Sequence, residues 1–235
     1  QAATCVSNYA RKALTFGISL RMQNKVSVIY HGVHESFVPP AVERSGMYLL
    51  AVSDIYVQKN LHTLIHALAE IRRNNPDIVL KLAGKAIDLG YLNELQDAIR
   101  AEKLEDAVEF LGEMNSNQLL DLYQNCIAFV FPSTVETFGN PLVEAMACGA
   151  PIVSSNTAAM PEILGKAAIY FDPLDSRDIA AKINEILANT DLRKRLSEMA
   201  FQRAAMFSWR KTAQQTAEVI KSVAPDRYLA ISKSA

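Results

Sequence analysis

The sequence predicts an α/β fold, a Rossmann-like doubly wound parallel sheet with helices on both faces. Three observations carry this. Short apolar runs alternate along the chain with segments of helical period. The runs are apolar throughout rather than at every second residue, as strands covered on both faces require. Most of them end in Gly, Ser, Pro or Asp, small and polar residues suited to the carboxyl edge of such a sheet, where ligands bind.

The elements follow in order. "NYARKALTFG" reads as a short helix and "KVSVIYHGV" as a strand ending in a turn; "HESFVPPAVERSG", broken by Pro39 and Pro40, has the composition of a linker. A regular alternation then begins. The strands are "MYLLAVS" (47–53), "DIVLKLAG" (77–84), "AVEFLG" (107–112), "IAFVFP" (127–132), "APIVSS" (150–155) and "AAIYFDP" (167–173). Between them lie helices at 60–73, 91–102, 116–126 and 140–149, then a helical turn in "MPEILG". Leu61, Leu64, Ile65, Leu68 and Ile71 set the apolar stripe of the first. Ser116 or Asn117 is expected to cap the third helix. For the fourth, Asn140 is the expected cap, with Pro141 in the first turn and Gly149 as the stop. Three helices, at about 176–189, 191–206 and 209–222, close the chain before a frayed tail.

Composition narrows the function. Of 235 residues, 50% are hydrophobic and 21% charged, an ordinary globular balance. A net charge of −1 gives no basic face for nucleic acid. No apolar run approaches the roughly 18 residues of a membrane span, and the first residues show no signal-peptide pattern and no initiator Met. Cys5, Cys126 and Cys148 are odd in number and lack CxxC spacing, so neither a disulfide framework nor a zinc site is expected, and a reducing cytoplasm fits. Cys126 and Cys148 read as small buried hydrophobes.

The candidate chemistry centres on "FPSTVETFGNPLVEAMACGAPIVSS", where Glu136 and Glu144 bracket "TFGNPLV". The free N–H groups of the helix start after Phe138 and Gly139 form an anion site that suits a phosphate. Glu144, about one turn in, suits a vicinal diol such as a ribose, since a carboxylate accepts from two hydroxyls. Glu136 on the loop faces whatever lies beyond the phosphates. The residues alone leave this reading and simple helix capping open. Lys59, placed against the dipole at a helix start, is either an anion ligand or a solvated loop lysine, with Asp54 upstream as a loop cap. His62, His66 and Glu70 have metal-ligand spacing, but they read as a solvated helix face; His31 and His34 read as junction residues. Gly84–Lys85 and Gly165–Lys166 lack P-loop spacing, no Gly-x-Ser-x-Gly occurs, and Arg193–Arg195 reads as a wet helix face.

"ETFGNPLVEAMACGAPIV" resembles the donor-site signature of glycosyltransferase family 4, retaining enzymes of the GT-B fold. "VSNYARKAL", "VIYHGVHESFVPP", "VQKNLHTLIHALAEI", "MPEILGKAAIYFDPLDSRDIAAKI" and "FSWRKTAQQTAEVI" extend the resemblance over nearly the whole chain. It implies the C-terminal, donor-binding half of a GT-B enzyme: the end of an N-terminal acceptor domain (1–38), a linker (39–46), a nucleotide-sugar-binding domain (47–207), a crossover helix (208–222) and a tail (223–235). It implies that Glu136 and Lys59 are catalytic, Glu136 at the donor sugar and Lys59 neutralising the departing diphosphate. Phe138, Gly139, Asn140 and Pro141 would meet sugar and diphosphate, and Glu144 the ribose. Gly84, Gly112 and Met114 would border base and nucleotide. No metal and no cofactor are implied. The donor is a nucleotide-diphosphate sugar, with GDP-mannose preferred on the style of "SNTAAMPEILGKAAIYFDP". The acceptor is a glycan or lipid-linked glycan, with a cytoplasmic location that includes the inner face of a membrane. The partner is the rest of the N-terminal domain, without which little transfer is expected.

Two departures stand out. The family often carries Arg where this chain has Asp54, and "HGVH" replaces its usual Asn-Gly-Val-Asp. A non-catalytic nucleotide-sugar-binding module is the alternative that Asp54 feeds; a GT-B epimerase or phosphorylase is another.

Overall fold

The computed structural model describes residues 2–42 and 44–224, so the expected tail lies outside the described residues from 225 on. A small parallel pair comes first, β1 (Ala3–Cys5) with β2 (Val26–Val28), joined through α1 (Asn8–Leu14) and α2 (Leu20–Gln23). The sequence pattern foresees neither β1 nor α2, because three or four residues are too few to show a period.

The main unit runs β3 (Tyr48–Val52), α3 (Leu61–Arg72), β4 (Val79–Ala83), α4 (Leu89–Ala101), β5 (Val108–Gly112), α5 (Ser116–Asn125), β6 (Ala128–Phe131), α6 (Asn140–Ala147), β7 (Ile152–Ser155), α7 (Met160–Leu164) and β8 (Ile169–Phe171). Then come α8 (Ser176–Ala188), α9 (Thr190–Ala204) and α10 (Trp209–Val223). The six main strands are all parallel, in the order β5-β4-β3-β6-β7-β8. The chain therefore winds outward from β3 in one direction, returns to β6, and winds outward in the other.

The all-apolar strands explain the two-faced sheet. Tyr48, Leu50 and Val52 of β3 enter one core with Phe129 and Phe131 of β6; Leu49 and Ala51 enter the other with Ala128 and Val130. Helices cover both: Val143 and Met146 of α6 the first, Leu64, Leu68 and Ile183 the second. Each such fully buried Leu or Ile contributes about 1.5–3 kcal/mol.

The linker is tightly anchored despite its loop composition. The Arg44 guanidinium donates to the carbonyls of Tyr123 (3.0 Å), Gln124 (2.6 Å), Cys148 (2.7 Å) and Gly149 (2.5 Å), closing the C-termini of α5 and α6 together. The amino-terminal pair is clamped to the main unit by Glu162 of α7. Its carboxylate accepts from the Asn8 backbone N–H (2.7 Å), the Tyr9 N–H (3.0 Å), the Asn8 amide (2.9 Å) and the Tyr30 hydroxyl (2.8 Å). Partial burial works against that charge, but the hydrogen bonds win and hold the Glu162 carboxyl below its ordinary range.

Candidate functional site

β3 and β6 lie side by side where the winding direction reverses, so the segments leaving their carboxyl ends diverge and leave a crevice. Lys59 and Glu136 meet across it. Lys59 ends a 3-10 turn, Val57–Lys59, after β3. Glu136 sits in the loop between β6 and α6. Lys59 Nζ donates to Glu136 Oε1 at 2.5 Å, and the two side chains are only 12% and 16% exposed. Burial disfavours the ammonium, but the hydrogen bond and charge of Glu136 outweigh it, so the Lys59 pKa is raised and the amine is held charged.

Both partners are positioned by buried polar contacts. Asn60, buried and left-handed at φ 55°, donates its amide to the carbonyls of Pro132 (3.0 Å) and Pro173 (2.7 Å) and accepts from the Thr63 hydroxyl (2.6 Å). It thus ties the start of α3, beside Lys59, to the segments that leave β6 and β8. The Glu136 loop is held on one side by the Thr134 N–H on the Gln58 carbonyl (3.0 Å). On the other, the Ser155 hydroxyl donates to the Ser133 carbonyl (2.7 Å) and that of Thr157 to the Thr134 carbonyl (2.9 Å).

α6 begins beside this pair. Its N-cap is Gly139, at φ 85°, and not Asn140 as expected; Asn140 is the first helical residue. With no side chain at the cap and Pro141 next, nothing from the cap residue satisfies the first N–H groups. Phe138 is buried against Tyr30, His31 and Phe207 and does not face solvent, although its backbone lies at the helix start. Asn140 is exposed and turns its Oδ1 to His31 Nδ1 at 3.0 Å. Further along α6, Glu144 Oε2 accepts from the Tyr123 hydroxyl at 3.0 Å. Burial raises the Glu144 pKa, and the Tyr123 bond offsets that only in part. A half-buried carboxyl whose charge is under-compensated gains from hydroxyl donors supplied by a ligand.

The remaining candidates border the same edge of the sheet. Gly84 directly follows β4 and Gly112 ends β5, joined by the Gly84 N–H on the Gly112 carbonyl at 2.8 Å. Gly84 packs so closely on β3 that a β-carbon there would lie 1.9 Å from the Ser53 carbonyl oxygen, so sheet packing already requires this glycine. Met114 is partly buried against the first of the two cores. Asp54 accepts from the Lys85 N–H (3.2 Å), a loop-orienting contact.

Two other expectations are corrected. α5 is capped by Asn115 in a reciprocal capping box with Gln118, not by Ser116 or Asn117. His62 is half-buried rather than solvated, its Nδ1 2.9 Å from the Tyr91 hydroxyl, because α4 packs over that side of α3; His66 pairs with Glu102 at 3.0 Å. Among the described residues no group of three or more His, Cys, Asp or Glu is arranged to hold a metal ion. All three cysteines are buried, and burial pushes the Cys126 and Cys148 thiols up to about 12. Sequence reasoning missed Asn60, Tyr123 and Glu162. The Lys-Asn pair before a helix signalled the first, since Asn is the non-glycine residue that tolerates a left-handed turn; no local pattern marks the other two.

Known proteins share this fold. The most similar solved structures include that of Anabaena Alr3699/HepE in complex with UDP and glucose, at a TM-score of 0.85 and 25% identity over 94% of this chain and 63% of that one. The serotype-specific mannosyltransferase WbdA of Escherichia coli is 32% identical over 73% of this chain and 21% of its own length. The glycogen synthase of Mycobacterium tuberculosis is 31% identical over 83% of this chain and 48% of its own. The chain thus spans less than half the length of the mannosyltransferase and the glycogen synthase. Residues 36–203 match the family described as glycosyl transferases group 1, and the chain belongs to that family.

Proposed function

We propose that this chain is the donor-binding half of a retaining glycosyltransferase that moves a hexose from a nucleotide-diphosphate sugar to a glycan or lipid-linked acceptor. The observation that carries the reading is the Lys59–Glu136 pair at the switch point, beside a helix start left without a side-chain cap. In this reading the diphosphate lies against the first N–H groups of α6 and Lys59. The charge that grows on the leaving diphosphate is met by a cation already in place, so stabilisation increases toward the transition state. Glu144 accepts from the ribose hydroxyls and Glu136 from the sugar. These groups supply the anion site with no metal assigned a part.

GDP-mannose is the preferred donor, a preference supported by the named mannosyltransferase relative; the HepE complex with UDP and glucose keeps UDP-glucose in contention. Asp54 favours a second reading, a nucleotide-sugar-binding module without transfer, because a carboxylate bonded to the Lys85 N–H adds no positive charge to the phosphate site. A thermal-shift series with GDP-mannose, UDP-glucose and ADP-glucose tests donor binding. A rise in Tm, largest with GDP-mannose, is expected; no rise with any of them overturns the proposal. Release of nucleotide from labelled donor, with acceptor present, separates transferase from module.

A further inference from the structure

We propose that His31 is a positioning residue of the donor site, acting through Asn140 at the first turn of α6. The inference rests on the reading of that helix start as the diphosphate site.

The backbone around His31 is fixed from both sides by the last helix. The Thr212 hydroxyl of α10 donates to the Tyr30 carbonyl at 2.7 Å. Gly32 lies so close to the start of α10 that a β-carbon there would sit 2.1 Å from the Trp209 backbone nitrogen and 2.6 Å from the Ser208 carbonyl carbon. Val33 then bridges to Ser208. The imidazole is equally confined. It stacks on Trp209 at a centroid separation of 5.7 Å and meets the Phe138 ring at 5.0 Å. With the ring held this way, its Nδ1 lies 3.0 Å from Asn140 Oδ1.

An amide oxygen accepts only, so the proton of this bond sits on His31 Nδ1. With Oδ1 engaged, the Asn140 amide group turns its Nδ2 donors away from the junction. They join the Asn140 backbone N–H, one of the first-turn groups that no helix carbonyl can accept. His31 therefore sets the orientation of a donor pair at a helix start whose cap is a bare glycine. The same contact ties the donor site to α10, since Gly32 and Tyr30 hold His31 in place.

The test is a double-mutant cycle read by calorimetric titration of the 235-residue chain with UDP and with GDP. His31→Phe keeps an aromatic ring between Phe138 and Trp209 and removes the donor. We expect affinity for the better-bound diphosphate to fall about tenfold, the size of one lost hydrogen bond to a charged group, with Tm unchanged. His31→Asn, which restores an N–H donor, is expected to recover most of it. Asn140→Ala should lose at least as much as His31→Phe, and the double variant no more than Asn140→Ala alone. Wild-type affinity in His31→Phe, or losses that add in the double variant, would overturn the role of His31 while leaving the diphosphate site standing. A wild-type chain that binds neither UDP nor GDP would overturn both. Histidine 15N spectra give a readout that does not depend on a variant folding: a protonated Nδ1 is expected, and a bare Nδ1 contradicts the proposal.

Discussion

The starts of α5 and α6 sit at the same edge of the sheet, after neighbouring stretches of chain, and are built in opposite ways. At α5 Asn115 accepts from the N–H groups of Asn117 (3.0 Å) and Gln118 (3.1 Å), and Gln118 returns a bond to the Asn115 N–H (3.0 Å). The protein itself satisfies that helix start. At α6 the cap is Gly139, Pro141 follows, and the nearest polar side chain, Asn140, is engaged sideways by His31. The first closes a helix; the second leaves donors, a helix dipole and a charged lysine facing one crevice. A fold can afford an uncapped helix where a ligand supplies the cap, and α6 follows the strand at the switch point.

The largest test of this contrast is Lys59→Ala. It removes the cation but leaves Glu136 beside the phosphate site, so UDP or GDP affinity should fall about 30-fold or more in calorimetry. Retained affinity would mean that the helix start alone holds the anion. Next is Gly139→Asp, which gives α6 the carboxylate cap it lacks. Asp tolerates a left-handed conformation better than most residues, and its charge competes with the diphosphate for the same N–H groups. Affinity should drop roughly tenfold, and Tm should fall as well, because a β-carbon at this left-handed position would lie 3.0 Å from Leu142 Cδ1.

A smaller effect is pH dependence. The folded Glu144 pKa is raised by burial, so the free protein carries it partly protonated just above the ordinary glutamate range. A bound diol favours the carboxylate, and binding then releases a proton. Affinity should therefore rise a few-fold as pH climbs above the ordinary glutamate range and then level off. The stability term has the opposite sign: a raised folded pKa means that ionising Glu144 costs the fold, so its contribution is lost as pH rises through that pKa. In Glu144→Gln both slopes should flatten. The smallest effect is at the closed helix start, where Asn115→Ala should cost about 1 kcal/mol of stability in denaturant unfolding and leave nucleotide binding unchanged.

Much of this contrast is legible in the sequence, and its limits are physical. Apolar strands alternating with periodic helices are local signals, and all six main strands stand where the pattern puts them. Glycine and proline around Asn140 marked the α6 start to within one residue; the cap fell to Gly139 because both Gly and Asn suit that position and only the backbone angle decides. The Lys59–Glu136 pair joins residues 77 apart in sequence, the Tyr123–Glu144 bond residues 21 apart, and the Glu162 clamp reaches Asn8 across 154. No spacing rule encodes such contacts. The first follows from strand order, which places β3 beside β6; the other two join helices brought together only by the finished fold. Family resemblance gave roles for Glu136 and Glu144, but it did not show that Glu136 already holds Lys59, or that Tyr123 already occupies one oxygen of Glu144.

The division of labour between the two carboxylates is the central claim, and one measurement addresses it directly. Calorimetric titration of Glu144→Ala and Glu136→Ala with UDP and GDP, neither of which carries a sugar to be transferred, separates the ribose side from the sugar side. Glu144→Ala should lose about tenfold in affinity, whereas Glu136→Ala should keep or gain affinity because Lys59 is released to the diphosphate. Equal losses in the two variants would contradict it.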